Sequence, residues 1–231
     1  ENVVIFEASH LESQIGADGV TEPRHQSLTR IQEEKVARNE FNIWYSSDFH
    51  FGHSNIIEYC NRPFDDVMDM NKALVAKWNE KVAPEDLAWI IGDIAMGHKQ
   101  KNMTWLSKMN GIKFLVMGNH DPGFGKKLSS SLIADNYSEY FRGVYTSAYH
   151  HTKTRFGQVF VNHFPYSQDH RHGERYAEHR PKYCGLPLIH GHVHDLWQVN
   201  YDMHSPQINV GVDVWDYSPV HISTIREILN S

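Results

Sequence analysis

The sequence predicts an α/β protein built from two β-sheets that pack face to face, with helices on the outside. From Asn42 onward, short strand-like runs alternate with helix-like stretches, as in parallel strands joined by helices. Beyond Tyr137 the pattern changes to consecutive strand candidates. A single doubly wound sheet would continue the alternation, so two sheets fit the whole pattern better.

Apolar runs bounded by turn-forming residues predict buried strands. In the first half of the chain these runs cover 42–47, 87–91 and 112–117. Between the first two runs, Ser54 is expected to cap a short helix, and Asp65 or Asp66 to cap a longer helix that runs to Val82. A further helix is expected over 102–109.

The second half of the chain is expected to add mainly strands. The candidates cover 141–149, 156–161, 186–190, 196–201 and 207–212, and a short helix over 223–229 follows them. At the other end, 2–8 can form a strand and 27–40 is polar and compatible with a helix. We predict that residues 1–40 form an N-terminal extension that packs on a main domain of residues 41–231. Contact of this extension with a partner or a second copy of the chain is the alternative.

Composition excludes several classes of protein. At 231 residues and a net charge of −6, the chain can bury a sizeable core but lacks the basic surplus of a general nucleic-acid coat. Cys60 and Cys184 have no metal-like spacing, so two reduced thiols are expected. No run approaches the roughly 18 apolar residues of a membrane span. The N-terminal residues do not resemble a secretion signal, so the expected location is the cytoplasm.

Short polar clusters follow the strand candidates, where an α/β fold places its site. They contain histidine, aspartate and asparagine, which bind metal ions, and glycines that permit sharp turns. A lone residue of this kind is most often part of a turn, but their joint occurrence after successive strands indicates one shared site. The clusters are Asp48-Phe49-His50, Gly92-Asp93, Gly118-Asn119-His120-Asp121, Asn162-His163 and Gly191-His192-Val193-His194.

These residue types suit a centre with two metal ions. In an extended segment residues two apart point the same way, so Asp48 and His50 can offer two donors to one pocket. His192 and His194 can do the same. A carboxylate has two oxygens and can span two cations, which makes Asp93 the natural bridge between them.

The ordered set of clusters resembles the pattern of the calcineurin-like metallophosphoesterase superfamily. That pattern is Asp-x-His, Gly-Asp, Gly-Asn-His-Asp or Gly-Asn-His-Glu, a lone His, and Gly-His-x-His. The matching stretch runs from Asp48 to His194, and Asp-Phe-His-Phe-Gly-His-Ser-Asn at 48–55 is similar to a branch of small bacterial and phage phosphoesterases. The resemblance implies a four-layer αββα sandwich of two mixed β-sheets flanked by helices.

The resemblance also implies a role for each matching residue. Asp93 would belong to both metal sites. His120 would contact the scissile phosphate or protonate the leaving oxygen, and Asp121 would orient His120 through a hydrogen bond. The first metal would be held by Asp48, His50, Asp93 and His194, and the second by Asp93, Asn119, His163 and His192.

The implied chemistry is hydrolysis of phosphoesters without a covalent intermediate. Two neighbouring cations supply hydroxide near neutral pH and stabilise the charge that develops in an in-line displacement at phosphorus. Imidazole, carboxylate and amide ligands without a thiolate favour Mn, Fe, Zn, Co or Ni over Mg or Ca, and Mn is the first choice. Activity is expected to fall in acid, where the histidine ligands protonate.

The long connection between the last two clusters, 164–185, is a candidate for substrate recognition. Arg175 and Arg180 can form paired hydrogen bonds with a phosphate, and Tyr176 can stack on a base. A polar, solvated loop or helix is the alternative. His53 closely follows the first cluster and is expected to contact the substrate, with helix capping as the alternative.

The remaining histidines are expected to be structural. His190 directly precedes a glycine of the last cluster, where support of the site or burial in the core fits better than ligation. His150 and His151 lack a supporting pattern and are expected on the surface of a strand.

The predicted function is metal-dependent hydrolysis of phosphodiesters, with nucleotides as the substrate class and cyclic nucleotides as the first candidates. A phosphoprotein phosphatase is disfavoured, because that branch has Gly-Asn-His-Glu and Asp-Arg-Gly where this chain has Asp121 and Ile94-Ala95-Met96. A nuclease for long nucleic acids would need a positive track that the net charge does not indicate. A phosphomonoesterase, or a metal-bearing interaction scaffold without turnover, would carry the same set of clusters.

Overall fold

A computed structural model of the chain describes residues 5–6, 42–152, 154–167 and 176–231. Over the first half, strands alternate with helices as the sequence predicts. The elements are β1 (Ile5–Phe6), β2 (Ile43–Ser46), α1 (Asn55–Tyr59), α2 (Val67–Lys81), β3 (Leu87–Ile90), α3 (Lys99–Met103), β4 (Ile112–Val116) and α4 (Ser130–Asn136).

Consecutive strands dominate the second half, again as expected. The elements are β5 (Gly143–Tyr145), β6 (Ala148–His151), β7 (Gln158–Val161), β8 (Leu188–His190), β9 (Val199–Asn200), β10 (Gln207–Asn209), β11 (Val220–His221) and α5 (Ile222–Asn230). Short 3-10 helices cover Thr104–Lys108, Ala177–His179 and Val212–Val214.

Local details differ from the sequence prediction in several places. The helix expected over 102–109 is an α-helical turn, α3, that continues as a 3-10 helix. The run expected over 141–149 forms two strands that enter different sheets, and α4 was not expected. Asp66 caps α2 by accepting the amides of Met68 and Asp69. Ser54 makes no such bond, because its own backbone is already helical.

Within the described residues the strands form two mixed sheets. The six-stranded sheet has the order β1-β6-β7-β8-β10-β9, and the five-stranded sheet has the order β11-β2-β3-β4-β5. In the five-stranded sheet, β2 to β5 run parallel, with Ile43 opposite Leu87 and Leu87 opposite Ile112. In the other sheet, β7, β8 and β10 are parallel neighbours. Parallel strands bring their carboxyl ends to one edge, so the loops that follow them lie close together.

An apolar core joins the two sheets. Trp89 and Phe114 stack with their ring centroids 4.9 Å apart, and Val161 and Ile208 of the other sheet belong to the same buried cluster. Side chains alternate faces along a strand, so Ile90 lies on the opposite side, among the helices. The described residues that cover the outer face of the six-stranded sheet include Tyr166, Leu186 and Met203.

Helices cover the outer face of the five-stranded sheet. Along α2, the side chains of Met70, Leu74 and Trp78 are fully buried at helical spacing. They pack in one cluster with Ile56 of α1 and Leu106 of the 3-10 helix. Within the described residues, a layer of helices therefore covers this sheet, and the apolar residues of α2 form core as predicted. The apolar residues of α5 instead join the cluster between the sheets.

The surface position expected for His150 is wrong. His150 shares a face of β6 with Ala148, so it points between the sheets and is only 6% exposed. Its Nδ1 atom lies 2.8 Å from the Tyr45 hydroxyl oxygen, and its ring lies against Trp89. Burial lowers the pKa of His150 to about 3. His151, one position later, is exposed as predicted.

Most of the N-terminal extension lies outside the described residues. Ile5 and Phe6 form β1, which pairs in parallel with β6 at Tyr149 and His150. The helix-compatible stretch over 27–40 falls outside the description. No helix in the described part of the chain is long and apolar enough to cross a membrane.

Candidate metal centre

The predicted ligands lie in loops at the carboxyl ends of parallel strands, and backbone hydrogen bonds hold these loops together. Within one sheet, the Asp48 amide donates to the Gly92 carbonyl oxygen at 3.1 Å. Between the sheets, the Ser47 amide donates to the Val210 carbonyl oxygen, also at 3.1 Å. The loops follow β2, β3, β4, β7 and β8.

Donor atoms converge in two groups that share Asp93. Within each group, the donor atoms all lie within 4.8 Å of one another. Asn119 adjoins the second group, because its Oδ1 atom is 3.0 Å from Nε2 of His163. Both groups can hold a metal ion, and they unite the residues that the sequence places in two sets. The groups are Asp48, His50, Asp93 and His194, and Asp93, His163 and His192.

The first group has the spacing that a small cation needs. Nε2 of His194 is 3.2 Å from Nε2 of His50 and 3.6 Å from Oδ1 of Asp48. Nε2 of His50 is 3.8 Å from Oδ2 of Asp93. Two ligands bound at about 2.1 Å to one ion, at tetrahedral or octahedral angles, are about 3.0–3.4 Å apart. The donors therefore fit around one transition-metal ion after small side-chain shifts.

The second group is oriented by a backbone contact. Nδ1 of His163 donates to the Ile91 carbonyl oxygen at 2.7 Å. This leaves Nε2 facing Oδ2 of Asp93 at 3.5 Å. A hydrogen bond on one ring nitrogen fixes which nitrogen a metal can bind. His192 completes the group, with its ring centroid 5.2 Å from that of His163.

Asp93 interacts electrostatically with histidines of both donor groups. Burial alone would raise the pKa of Asp93, but attraction by His163 and His50 and a hydrogen bond with His163 lower it well below its usual value. Burial opposes a proton on His163, yet the charge of Asp93 raises its pKa to about 9. Burial, followed by repulsion from His194, lowers the pKa of His50. These pKa shifts favour an ionised Asp93 and a neutral His50 imidazole.

The ligand loops are not extended, contrary to the geometry assumed from the sequence. Backbone φ angles are 59° at Asp48, 52° at His50, 55° at Asp93, 73° at His192 and 48° at His194. Residues other than glycine rarely adopt this left-handed backbone conformation, and such strain is concentrated at functional sites. The side chains converge because the loops curl, not because residues alternate along a strand.

Two glycines are required where these loops touch. Gly92 has a φ of 83°, and a Cβ atom there would lie 2.5 Å from the backbone of Gly118. A Cβ atom on Gly118 would in turn lie 2.6 Å from the amide nitrogen of Asp93. Backbone atoms cannot yield to such contacts, so the Gly-Asp and Gly-Asn turns are packed directly on each other.

Asp121 does not orient His120, and that prediction is wrong. The carboxylate of Asp121 points beneath the loop and accepts the amides of Gly118, Asp93 and Ile94 at 2.7, 3.1 and 3.0 Å. Burial and the nearby charge of Asp93 raise the pKa of Asp121 to about 6. Asp121 therefore fixes the backbone around Asp93.

His120 is positioned through its main chain instead. Its amide donates to Oδ1 of Asp93 at 2.8 Å, and its carbonyl oxygen accepts from Nζ of Lys99. The His120 side chain is 36% exposed, with Nε2 4.0 Å from Oδ2 of Asp93. Burial lowers its pKa against the attraction of Asp93. This imidazole is therefore more accessible to solvent than the buried side chains of Asp48, His50 and Asp93.

The predicted substrate residues are placed as follows. The His53 ring centroid is 5.5 Å from that of His50. Tyr176 lies 6.0 Å from His192 by ring centroids and 5.9 Å from Phe164. Arg180 is partly buried directly after the 3-10 helix at Ala177–His179. Arg175 lies outside the described residues. Substrate contact by these residues stays a prediction.

Several neighbours of the ligands were missed or undervalued from the sequence. Lys99 and Arg62 were not singled out, yet each binds the backbone of a candidate site loop. Cys60 was expected only to fill space, but its Sγ atom is 3.3 Å from Nδ1 of His194. The two cysteines are free thiols, as predicted. A single arginine or lysine in a turn has no sequence pattern that separates it from a solvated residue.

His190 has the core position expected for it. It is fully buried, with Nδ1 2.7 Å from the Gly191 carbonyl oxygen and its ring 4.7 Å from that of Trp197. It is absent from both donor groups of the described residues.

Fold and site together define a mixed α/β protein with a candidate metal centre of carboxylates and imidazoles. The chain is 32% identical over 182 residues to the Gene 66 protein of Mycobacterium phage L5, covering 75% of this chain and 87% of the relative. It is 32% identical over 196 residues to the Gene 66 protein of Mycobacterium phage D29, covering 82% and 96%. Uncharacterized protein MJ1445 of Methanocaldococcus jannaschii is 31% identical over 192 residues, covering 81% and 90%. The chain belongs to the family of these proteins.

The fold is shared with a solved structure. The crystal structure of AQ665 from Aquifex aeolicus, a protein of unknown function, has a TM-score of 0.60 and 25% sequence identity. The similarity covers 81% of this chain and 98% of AQ665. No protein-family profile matches the chain.

Proposed function

We propose that the protein is a metal-dependent phosphoesterase with a calcineurin-like fold that hydrolyses phosphodiester bonds. The observation that carries the proposal is the sharing of Asp93 by two donor groups. A buried carboxylate among imidazoles on both sides suits a pair of close cations, and paired cations about 3.5–4 Å apart are typical of enzymes that act on phosphate esters. Imidazole with oxygen donors favours Mn, with Fe, Zn, Ni or Co as alternatives.

The ligand residues would divide the work as the resemblance implies. When bound, the pair of cations would activate a water molecule and offset the negative charge on the phosphoryl oxygens. Asp48, His50 and His194 would hold one ion, and Asn119 and His163, with His192, the other. Asp93 would be a ligand of both ions, and its lowered pKa keeps it ionised for that role.

His120 is the candidate for contact with the reacting phosphate. It is partly exposed, unlike the buried Asp48, His50 and Asp93, and its main chain is fixed at both its amide and its carbonyl. A fixed backbone with a partly exposed side chain suits a group that contacts the substrate. In this role His120 would donate a hydrogen bond or a proton to the leaving oxygen.

Nucleotides, and cyclic nucleotides first, are the substrate class we propose. Beside the second donor group, the partly exposed rings of Phe124 and Tyr176 pack with the buried ring of Phe164, all within 6.2 Å by ring centroids. Such rings suit a planar base, whereas the net charge of −6 does not favour a long polyanion.

The test is reconstitution of the metal-free protein. Chelator-treated protein would be replenished separately with Mn, Ni, Zn or Fe and assayed on bis-p-nitrophenyl phosphate, p-nitrophenyl phosphate and cyclic nucleotides. We expect hydrolysis that requires added metal and is faster on diesters than on the monoester. Metal binding without hydrolysis of any of these esters would favour an interaction scaffold, and full activity without metal would contradict the proposal.

A further inference from the structure

A buried arginine lies directly behind the first ligand loop. Arg62, in the turn after α1, is 3% exposed. One of its terminal nitrogens donates to the Asp48 carbonyl oxygen at 2.8 Å, and the other donates to the Phe49 carbonyl oxygen at 3.0 Å. The guanidinium therefore binds the main chain between the candidate metal ligands Asp48 and His50, without contacting their donor atoms.

Asp213 fixes the orientation of Arg62. Nε of Arg62 donates to Oδ1 of Asp213 at 2.8 Å, and a terminal nitrogen donates to Oδ2 at 2.9 Å. The remaining donor lies 3.4 Å from Sδ of Met70. An arginine has five N–H groups in a rigid fork, and all of them are used here. A guanidinium bound on every side has one orientation, so it can define the position of the loop it touches.

The Asp48–His50 loop needs such support because its backbone is strained. Asp48 and His50 both have left-handed φ angles. On its amide side, the loop is held by the Gly92 and Asp93 carbonyl oxygens, each at 3.1 Å. On the carbonyl side, Arg62 supplies the bonds. The loop is thus held between the Gly-Asp turn and the guanidinium, and loss of Arg62 would leave one side free to relax.

We propose that Arg62, locked by Asp213, is a positioning residue that sets the metal affinity of the Asp48, His50, Asp93 and His194 group. The inference rests on the proposed metal centre. Arg62 touches no donor atom of either group, so it acts through the backbone. The second group shares Asp93, from the loop after β3, and takes its other donors from the loops after β4, β7 and β8. Among the described residues, Arg62 donates no hydrogen bond to any of these loops. The effect is therefore expected to be larger for the ion of the first group than for the ion of the second, although the groups share Asp93.

Two single-site backgrounds allow the affinities to be measured separately. His192→Ala removes a donor of the second group only, and His194→Ala removes a donor of the first group only. Arg62→Lys keeps the charge but loses the fork, and Asp213→Asn keeps the size but loses the charge. Each would be added to both backgrounds. Metal-free proteins, checked for folding by circular dichroism, would be titrated with Mn²⁺ in a calorimeter.

In the His192→Ala background, we expect Arg62→Lys and Asp213→Asn each to weaken Mn²⁺ binding by about 10–100-fold, the usual range for residues that orient metal ligands. In the His194→Ala background the same substitutions should change Kd less than about twofold, since Arg62 does not orient those donors. The matched control is Asp216→Asn, which removes an exposed ion pair to Lys77 and should leave both affinities unchanged.

Equal weakening in the two backgrounds would show a general structural role and overturn the inference. Unchanged affinity in the His192→Ala background would also overturn it. If one substitution prevents folding, the other still decides, because both remove the paired hydrogen bonds between Arg62 and Asp213. Wild-type protein that binds no Mn²⁺ would contradict this inference and the proposed function together. Selective weakening in a protein that hydrolyses no phosphoester would overturn the proposed function alone.

Discussion

Nε2 of His163 lies 3.5 Å from Oδ2 of Asp93, and the rest of the centre is arranged around this pair. The imidazole comes from the loop after β7 and the carboxylate from the loop after β3, so the contact joins the two sheets. Asp93 also lies 3.8 Å from His50, which belongs to the other donor group. The interface between the sheets thus places one carboxylate where two groups of donors meet.

Replacing His120 should separate catalysis from metal binding. His120→Ala removes the side chain proposed to meet the phosphate but none of the donors. We expect kcat on a diester to fall by about 100-fold or more, in the range for loss of a general acid. Metal content, measured by mass spectrometry of the bound ions, should stay at the wild-type value. His98→Ala, an exposed histidine without a side-chain capping bond, is the control. Equal loss of metal and rate would contradict the assigned role.

Asp121→Asn should destabilise the protein although its size barely changes. One carboxylate oxygen accepts the amides of Gly118 and Asp93, and the other accepts the amide of Ile94. In either orientation, the NH₂ of an asparagine would face at least one of these donors. Leaving such buried groups unpaired costs about 1–3 kcal/mol. Urea denaturation would measure the free energy of unfolding, with the exposed Asp135→Asn as the matched control. Stability equal to that of wild type would show that these amides find other partners.

Acid should destabilise the fold partly through His150. Burial lowers its pKa to about 3, whereas the unfolded chain has an ordinary value near 6.5. Between these two values His150 takes up a proton in the unfolded state but not in the folded state. Its contribution to the free energy of unfolding is therefore fully present above about pH 6.5 and falls as the pH drops towards 3.

The measurable quantity is the slope of unfolding free energy against pH in metal-free protein. His150→Gln cannot titrate, so between pH 6 and 4 its slope should be shallower than that of wild type by up to about 1.4 kcal/mol per pH unit. His151→Gln, on an exposed neighbour, should reproduce the wild-type slope. Parallel curves for wild type and His150→Gln would exclude this contribution.

Tyr176 should matter for substrates that carry a base. Its ring lies near His192 and Phe164, so a base bound beside the second donor group can stack on it. Stacking contributes about 1–3 kcal/mol per base. Tyr176→Ala should therefore lower kcat/KM for a nucleoside cyclic phosphate by at least about fivefold. A ribose cyclic phosphate without a base should be hydrolysed as before, and Tyr176→Phe should retain the preference. Equal losses on both substrates would contradict base stacking.

The sequence predicted the parts of the fold that depend on apolar runs and on turns. The strands Leu87–Ile90 and Gln158–Val161 fall within the predicted runs 87–91 and 156–161. The cap at Asp66 and the convergence of the polar clusters also follow local patterns. It did not predict the shape of the ligand loops, because left-handed backbone at Asp48 and His50 is stabilised by distant partners. It likewise could not show which side of β6 faces the core, so His150 was placed on the surface.

The roles of Asp121 and Arg62 show the same limit. Asp121 directly follows His120 in the chain, which suggested contact between them, but its carboxylate turns towards the amides of an earlier loop. The charge of the buried Arg62 is paired with Asp213, which is distant in the sequence. Long-range pairing of this kind leaves no mark in the spacing of residues.

The central claim is that a pair of metal ions shares Asp93, and the most direct measurement compares bound metal and turnover in Asp93→Asn and Asp216→Asn. Both substitutions neutralise one carboxylate, but Asp216 is on the surface. After equilibration with Mn²⁺ and desalting, we predict that Asp216→Asn retains the wild-type metal content and diester hydrolysis. Asp93→Asn should lose ions from both sites and all measurable turnover. Full metal content and normal hydrolysis in folded Asp93→Asn would contradict the account.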